Sequence, residues 1–290
     1  MSSSPRPSKA DRRDEARAAA LALRAQQERE ARRQRTILLS LIGVGLVAVV
    51  AVVVWILGQA TPTTTVDIPD ADLSEVEEPL AEVTAPAGAT DDGGILVGAE
   101  GVLADGEAPD DAVVVDVYAD FMCPFCGLFE ETNGATLDEL RESGDVVVAY
   151  HPVAILDRFA SGTKYSTRSS AALALVADQA PEQFVDLNTI LFANQPAEGS
   201  EGLSDAEMAE LAREVGVPDD VATAIEDGSY LTGDGSFVPW VQAATEQASR
   251  DLPRLATPTV LVDGQDLSED LGVDWRIEGA LAAAVEQVRG

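Results

Sequence analysis

Residues 112–126 read AVVVDVYADFMCPFC, and they are the most informative part of the sequence. Its first seven residues are almost all apolar and rich in Val, which predicts a buried strand. The residues after Cys126 have a helical pattern. Cys123 and Cys126 are the only two cysteines in the 290 residues. A C-x-x-C pair between a strand and a helix is typical of a dithiol redox site, so the sequence predicts thiol–disulfide chemistry here.

The two cysteines are expected to differ in reactivity, because they occupy different positions at the helix start. Cys123 falls at or near the N-cap, where free backbone N–H groups and the helix dipole favour the thiolate. Pro124 suits the first helical position, since the N–H that it lacks is not needed there. Cys126 lies one turn deeper and is more shielded. We therefore expect Cys123 to form the mixed disulfide and Cys126 to resolve it.

The charge distribution divides the chain into two parts. Lys and Arg total 19 against 51 Asp plus Glu, which gives a net charge of −32. Residues 1–35 hold ten of the bases and only five of the acids, so the remainder of the chain is strongly acidic. A nucleic-acid partner needs a basic face, and this balance argues against one.

An uncharged segment, residues 36–58, separates the two parts. It is long and apolar enough to cross the ~30 Å hydrocarbon core of a membrane as a helix. Three arginines between positions 32 and 35 precede it, so the positive-inside rule predicts a cytoplasmic segment over 1–35 and an extracytoplasmic remainder. The alternative is a signal peptide cleaved after Ala60. The apolar run exceeds the roughly 7–15 residues of a signal h-region, which favours an uncleaved, single-pass signal-anchor in the cell membrane.

A linker and one α/β domain are predicted beyond this segment. Residues 59–93 are acidic and rich in Pro and Thr with no sustained period, which predicts an extended, mobile linker. The domain covers 94–290. Its predicted order is two strands, a helix, a strand, a helical block over about 157–250, a strand over 257–262 and a final helix. This order describes an α/β domain with a helical insertion.

Two motifs together resemble the DsbA-like branch of the thioredoxin superfamily. The first is DFMCPFC over 120–126, and the second is ATPTV over 256–260 followed by VDG over 262–264. The helical block between them is similar to the DsbA insertion, and the resemblance covers about residues 95–290. It implies a thioredoxin-like fold and a redox-active disulfide, Cys123–Cys126, that works without a cofactor.

The resemblance also implies a wall of residues around the dithiol. In the family, the second motif carries a cis-proline that faces the dithiol, and Pro258 matches it. Thr257 and Pro258 are then expected to line the site and to offer the Thr257 backbone to an extended substrate chain. Pro124 and Phe125, between the cysteines, complete the expected wall.

Two positions depart from the family pattern. Thioredoxin-like domains often keep a buried acid six residues before the first cysteine, as a proton acceptor for the deeper thiol, and this position is Val117 here. Strand alternation turns the adjacent Asp116 to the other face. Phe125 stands where the best-known DsbA pattern has His, and it neither donates a hydrogen bond nor carries charge. We therefore expect weaker thiolate stabilisation than in the strongest oxidants.

No metal site is predicted. His151, the only histidine, ends a predicted strand. We interpret it as a packed or solvated strand-end residue, the alternative being proton handling near the dithiol. Zinc takes four ligands in closed sites, and two cysteines with one distant histidine supply three at most.

These features predict an extracytoplasmic thiol–disulfide oxidoreductase. An oxidase that introduces disulfides into exported proteins is favoured, because an oxidising compartment and the lack of other cysteines leave the pair catalytic. The alternatives are a reductase or isomerase in the same compartment, and a non-catalytic exported binding module. By resemblance, a DsbB-like or vitamin K epoxide reductase-like membrane quinone enzyme would reoxidise the pair.

Overall fold

A six-stranded mixed sheet forms the centre of the domain in the computed structural model, which describes residues 67–144 and 146–290. The strand order is β2-β1-β4-β3-β5-β6, and only β3 and β4 run parallel among these pairs. The strands are β1 (Ile95–Gly98), β2 (Gly101–Val102), β3 (Val113–Ala119), β4 (Val146–Pro152), β5 (Thr259–Val262) and β6 (Gln265–Asp266).

Strand β3 lies in the middle of the sheet, and its side chains alternate between two buried faces. Val115 and Val117 enter the main core, whereas Tyr118 joins a smaller apolar cluster on the other face. The Val-rich sequence suits this position, since a central strand covered on both faces has no solvated side. The cysteine motif follows directly after this strand, and both cysteines belong to the main core.

The helix after β3, α1 (Pro124–Glu142), buries one face against the sheet. Its buried residues recur every three or four positions, as an amphipathic helix requires, and they are Cys126, Phe129, Asn133, Leu137 and Arg141. The second cysteine is thus the first residue of this buried face.

Five helices lie between β4 and β5 and form the predicted helical insertion. They are α2 (Tyr165–Gln179), α3 (Phe184–Ala193), α4 (Asp205–Glu214), α5 (Asp219–Glu226) and α6 (Val238–Asp251), and α7 (Ala280–Arg289) closes the chain. The α/β fold with a helical insertion is confirmed. Helix α2 is buried along most of its length, so the insertion shares its core with the sheet.

A buried ion pair joins α2 to the start of α4. Arg168 donates to a carboxylate oxygen of Asp205 at 2.6 Å, and the side chains are 1% and 0% exposed. The hydroxyl of Tyr230 donates to the same oxygen at 3.0 Å. A capping box begins α4, with Ser204 and Glu207 exchanging side-chain and backbone hydrogen bonds.

The described part of the predicted linker, residues 67–93, packs on the domain. Arg250 of α6 donates to three backbone carbonyls between positions 73 and 77, and Gln242 donates to the carbonyl of Pro69. Ile68 is buried. This differs from the mobile linker that the composition predicts, because side chains of α6 supply the hydrogen-bond donors that the extended backbone needs.

The predicted membrane-spanning segment lies outside the described residues. Among the residues that the structure describes, none of the helices combines the length and the apolar character that a membrane crossing requires.

Candidate active site

The two cysteines lie at the start of α1, where the chain turns out of β3. Cys123 is the N-cap residue, with extended backbone angles, and Pro124 is the first helical residue. The Cys123 N–H donates to the carbonyl of Asp120 at 2.9 Å, and the Cys126 N–H donates to the Cys123 carbonyl at 2.9 Å. Both cysteines are free thiols and are buried, at 5% and 1% exposure. The turn thus presents Cys123 at the helix N-terminus with Cys126 beneath it.

Cys123 is the thiol whose ionisation the site favours. Its pKa is lowered from 9.0 to about 6, first by a hydrogen bond from the Cys126 thiol. Burial opposes this shift, while a hydrogen bond with the Thr257 side chain and the backbone N–H groups of Cys126 and Phe125 support it. Cys123 is therefore largely a thiolate at neutral pH, the form that reacts with disulfides.

Cys126 has the opposite tendency. Burial raises its pKa well above 9.0, and the neighbouring Cys123 raises it further. A buried thiol beside a thiolate keeps its proton and donates it as a hydrogen bond. This asymmetry is the one expected of an attacking thiol and a resolving thiol.

The expected wall residues lie on two sides of the dithiol. The Thr257–Pro258 peptide bond is cis, and the Thr257 carbonyl oxygen lies 3.3 Å from Sγ of Cys123. On the helix side, Phe125 is 55% exposed, with the Arg276 guanidinium 5.9 Å from its ring centre. Pro124 lines an open groove of about 600 Å³ between α1 and α3. The nucleophile is thus flanked by a backbone carbonyl and by an exposed aromatic ring.

A buried carboxyl group, Asp120, was not singled out by the sequence reasoning. It is fully buried, and it accepts hydrogen bonds from the N–H groups of Met122 and Leu156 and from the Ser166 hydroxyl, at 2.8, 2.9 and 2.6 Å. Burial raises its pKa to about 7, against the hydrogen bonds, which lower it. Asp120 lies three residues before Cys123, so the motif contained it, but no pattern marked it as buried.

A second missed residue, Gln195, follows α3. Its side-chain Nε2 donates to the backbone carbonyls of Phe121 and Cys123, at 2.9 Å each. These contacts bridge 74 and 72 residues of sequence, so no local pattern could have indicated them.

Val117 and Asp116 lie on the two faces of β3 that strand alternation predicts. Val117 is part of the main core. Asp116 turns to the other face and lies 3.0 Å from Nε2 of His151, which is 2% exposed and stacks on Tyr118 at 4.0 Å between ring centres. The interpretation of His151 as a packed residue is confirmed. It lies on the face of β3 that points away from the Val117 side chain.

The described residues contain one group with the spacing of metal ligands. Asp92, Asp116 and His151 each place a ligand atom within 4.8 Å of the others. The contact between Asp116 and His151 already uses two of these atoms, and Nδ1 of His151 finds no partner among the described residues that would orient the ring. A buried histidine–carboxylate pair accounts for this geometry, and we assign no metal to it.

A helix-capping thiolate, a buried partner thiol and a facing cis-proline together make the site of a thiol–disulfide oxidoreductase. A family model described as thioredoxin matches residues 105–275, so the chain belongs to the thioredoxin family. A search of curated proteins found no match.

Solved structures of disulfide oxidoreductases resemble this chain. Oxidised DsbA of Mycobacterium tuberculosis is 34% identical, with 68% of this chain and 93% of that chain covered and a TM-score of 0.52. The reduced disulfide bond oxidoreductase DsbG of the same organism is 31% identical, with 68% and 88% covered and a TM-score of 0.51. MdbA, a thiol-disulfide oxidoreductase of Corynebacterium diphtheriae, shares the fold at 24% identity, with 74% and 98% covered and a TM-score of 0.52. The enzyme is thus a thiol–disulfide oxidoreductase of the DsbA type.

Proposed function

We propose that this enzyme is an extracytoplasmic oxidase that transfers its Cys123–Cys126 disulfide to exported proteins. The observation that carries the proposal is the lowered pKa of Cys123, about 6, at the helix N-terminus. A stabilised thiolate favours the reduced form of the pair, which makes its disulfide a stronger oxidant. A stabilised thiolate is also a better leaving group when a client thiol takes over the disulfide.

The reaction proceeds by two thiol–disulfide exchanges. A client thiolate attacks Sγ of Cys123 in the disulfide, and Cys126 leaves and takes up a proton. A second client thiolate then attacks the client sulfur of this mixed disulfide, and Cys123 leaves as a thiolate. Two electrons pass from the client to the dithiol, and the client gains one disulfide.

The surroundings of Cys123 support an unfolded protein as the client. Phe125 and Leu128 are large apolar side chains that are 55% and 40% exposed on the first turns of α1. Exposed apolar groups of this kind suit the apolar segments that an unfolded chain displays. The Thr257 carbonyl next to Cys123 offers a hydrogen-bond acceptor to the backbone of an extended client.

The proposed location rests on the sequence. The apolar segment over 36–58 would hold the enzyme in the cell membrane, with residues 1–35 in the cytoplasm and the dithiol outside. Each turnover leaves the dithiol reduced, so an external oxidant is needed. We propose a membrane quinone enzyme, DsbB-like or vitamin K epoxide reductase-like, as the reoxidant, and exported cysteine-containing proteins as the clients.

The reduction potential of the Cys123–Cys126 pair tests the oxidase against the reductase or isomerase. The second candidate rests on Val117 and Phe125, which lack the acid and the histidine that tune other members. Equilibration of the purified domain with glutathione redox buffers should give a potential above about −180 mV, with the reduced form more stable to urea. A potential near −270 mV, as low as that of a typical reductant, would contradict the oxidase.

A trapping experiment tests the transfer to clients directly. Cys126→Ser keeps the attacking thiol but removes the resolving one, so mixed disulfides with exported proteins should accumulate on non-reducing gels. Cys123→Ser is the matched control and should trap none. Absence of adducts in Cys126→Ser cells contradicts direct oxidation, and full biological function of Cys123→Ser would favour the non-catalytic binding module.

A further inference from the structure

The backbone turn that carries Cys123 is held from outside by one side chain of the helical insertion. Nε2 of Gln195 donates to the carbonyl oxygens of Phe121 and Cys123, which lie on either side of Met122. The Cys123 carbonyl also accepts the N–H groups of Cys126 and Gly127, at 2.9 and 3.2 Å. The amide of Gln195 therefore joins the first hydrogen bonds of α1 at the residue that bears the nucleophile.

A glycine makes room for this amide. Gly127 lies in the first turn of α1, and a Cβ at this position would lie 2.5 Å from Oε1 and 3.2 Å from Cδ of Gln195. Glycine is the poorest helix former after proline, so its place directly behind the second cysteine calls for a reason. The close approach of Gln195 supplies one. Gly134, in the same helix, contacts only the flexible end of Glu130, at 3.2 Å from Oε1.

An aromatic contact fixes the position from which Gln195 reaches the turn. Phe192, near the end of α3, stacks on Phe121 with ring centres 4.6 Å apart. The Gln195 N–H donates to the Phe192 carbonyl at 3.1 Å, which folds the chain back over the dithiol turn. The Phe192 ring thus holds the Phe121 side chain, and the Gln195 amide holds the carbonyls of Phe121 and Cys123. Both contacts fix the same short backbone segment.

We propose that Gln195 is a positioning residue through which the helical insertion sets the reactivity of Cys123. This inference rests on the proposed thiol–disulfide exchange at Cys123. By fixing the Cys123 carbonyl, Gln195 fixes the peptide planes that aim Sγ at the N–H groups of Phe125 and Cys126. Without the amide, both carbonyls lose this donor, and only the N–H groups of Cys126 and Gly127 still hold the Cys123 carbonyl. The sulfur then loses part of its alignment with the donors of Phe125 and Cys126.

Four substitutions, two at position 195 and two in α1, test the inference on the full chain. Gln195→Met keeps the length and loses both hydrogen bonds. We expect it to slow disulfide transfer to a thiol peptide by about 10-fold, since small misplacements of reacting groups are costly. We also expect the pKa of Cys123, measured from its rate of alkylation by iodoacetamide, to rise toward its ordinary value.

Gln195→Glu gives a readout that a merely structural role would not move. A protonated Glu donates one hydrogen bond to the turn, whereas an ionised Glu donates none and repels both carbonyls. The rate of this variant, relative to wild type at each pH, should therefore fall as pH rises through the titration of the introduced carboxyl group. A constant ratio across this range contradicts the inference.

Gly127→Ala displaces the amide while it improves the helix, and Gly134→Ala is its matched control. We expect Gly127→Ala to reproduce the slow transfer and the raised Cys123 pKa without loss of thermal stability. Gly134→Ala should behave as wild type in both readouts. Wild-type values for both Gln195→Met and Gly127→Ala would overturn the positioning role. A wild-type protein that transfers no disulfide would overturn the proposed function instead, and the alkylation profiles would still report on Gln195.

Discussion

At the level of single residues, Cys123 and Cys126 divide their tasks through one hydrogen bond. The Cys126 thiol, whose pKa is raised, donates to Cys123, and this contact is the largest cause of the lowered Cys123 pKa. The backbone N–H groups at the helix N-terminus and the Thr257 side chain add to it. The lowered pKa of Cys123 thus comes mainly from its partner thiol and does not require a histidine at position 125.

Two substitutions of Cys126 should separate the hydrogen bond from the thiol itself. Cys126→Ala removes the donor, so the pKa of Cys123 should rise from about 6 toward 9.0, as measured by the pH dependence of iodoacetamide alkylation. Cys126→Ser keeps an O–H donor at the same place and should retain most of the lowering. Equal pKa values in the two variants would mean that a donor at position 126 does not stabilise the thiolate.

Asp120 makes a pH-dependent contribution to stability whose sign follows from its raised pKa. The carboxyl group is fully buried, and its pKa is about 7 against an ordinary value of 3.8. Its protonated form is therefore favoured in the folded state. The stability that this gives is complete below about pH 4 and is lost as pH rises to about 7, by on the order of 4 kcal/mol.

We expect Asp120→Asn to be less stable than wild type at low pH, because its amide cannot accept all three hydrogen bonds. An amide does not ionise, so the difference in unfolding free energy should shrink between pH 4 and 7 and stay constant above. Urea unfolding at pH 4.5, 6 and 8 measures it. A difference that grows with pH would show that the carboxylate is the favoured form, with its hydrogen bonds outweighing burial.

Among the helices, the ion pair of Arg168 and Asp205 joins two helices of the insertion. Both side chains are almost fully buried, and Arg168 also donates to the carbonyls of Thr163 and Leu203. Charged groups at this depth are stable only while each has its partner. This pair therefore fixes α2, whose Ser166 donates to the Asp120 carboxyl group, to the start of α4.

Arg168→Met should cost about 3–5 kcal/mol of unfolding free energy, because it leaves the Asp205 carboxylate buried without a counter-charge. The double variant Arg168→Met/Asp205→Leu removes that charge and should be more stable than Arg168→Met alone. Urea unfolding of wild type, both single variants and the double variant gives the coupling energy. If the double variant loses the sum of the two single losses, the charges act independently and the argument fails.

Much of the fold could be predicted from local sequence patterns. The Val-rich run predicted β3, and the helical pattern after Cys126 predicted α1. In the site, the helix-capping place of Cys123 followed from the same local reasoning. These features depend on neighbours in sequence, which a pattern contains.

Contacts between residues that are far apart in sequence could not be predicted from local patterns. Gln195 reaches the Cys123 turn across 72 residues, and Asp120 reaches Ser166 across 46. Residues 67–93 have the composition of a linker, yet Arg250 binds three of their carbonyls from 173 to 177 residues away. The composition of a segment does not show which side chains will lie beside it. The donors of α6 reach these carbonyls only in the folded chain.

At the level of the whole molecule, charge is the dominant property. Residues 67–290 hold nine Lys and Arg against 46 Asp and Glu. At least six of the cations form ion pairs with acids, and the remaining acids still outnumber the remaining bases by far; these six are Arg141, Lys164, Arg168, Arg213, Arg250 and Arg276. A surface with this excess attracts cations over roughly a Debye length, about 10 Å at 0.1 M salt.

This field should select among clients by charge. A basic peptide with two thiols should be oxidised faster than an acidic peptide of the same length at low salt, by about 10-fold or more, since electrostatic steering changes association rates by 10–10³. Stopped-flow tryptophan fluorescence at 20 mM and 500 mM NaCl measures both rates. Added salt should slow the basic peptide, speed the acidic one and leave a neutral peptide almost unchanged.

Because Arg276 lies against the exposed Phe125 ring, its positive charge opposes the overall field near the dithiol, and Arg276→Gln should widen the difference between the peptides. Equal rates for basic and acidic peptides at low salt, in both wild type and Arg276→Gln, would mean that contacts at the dithiol alone decide which client is oxidised.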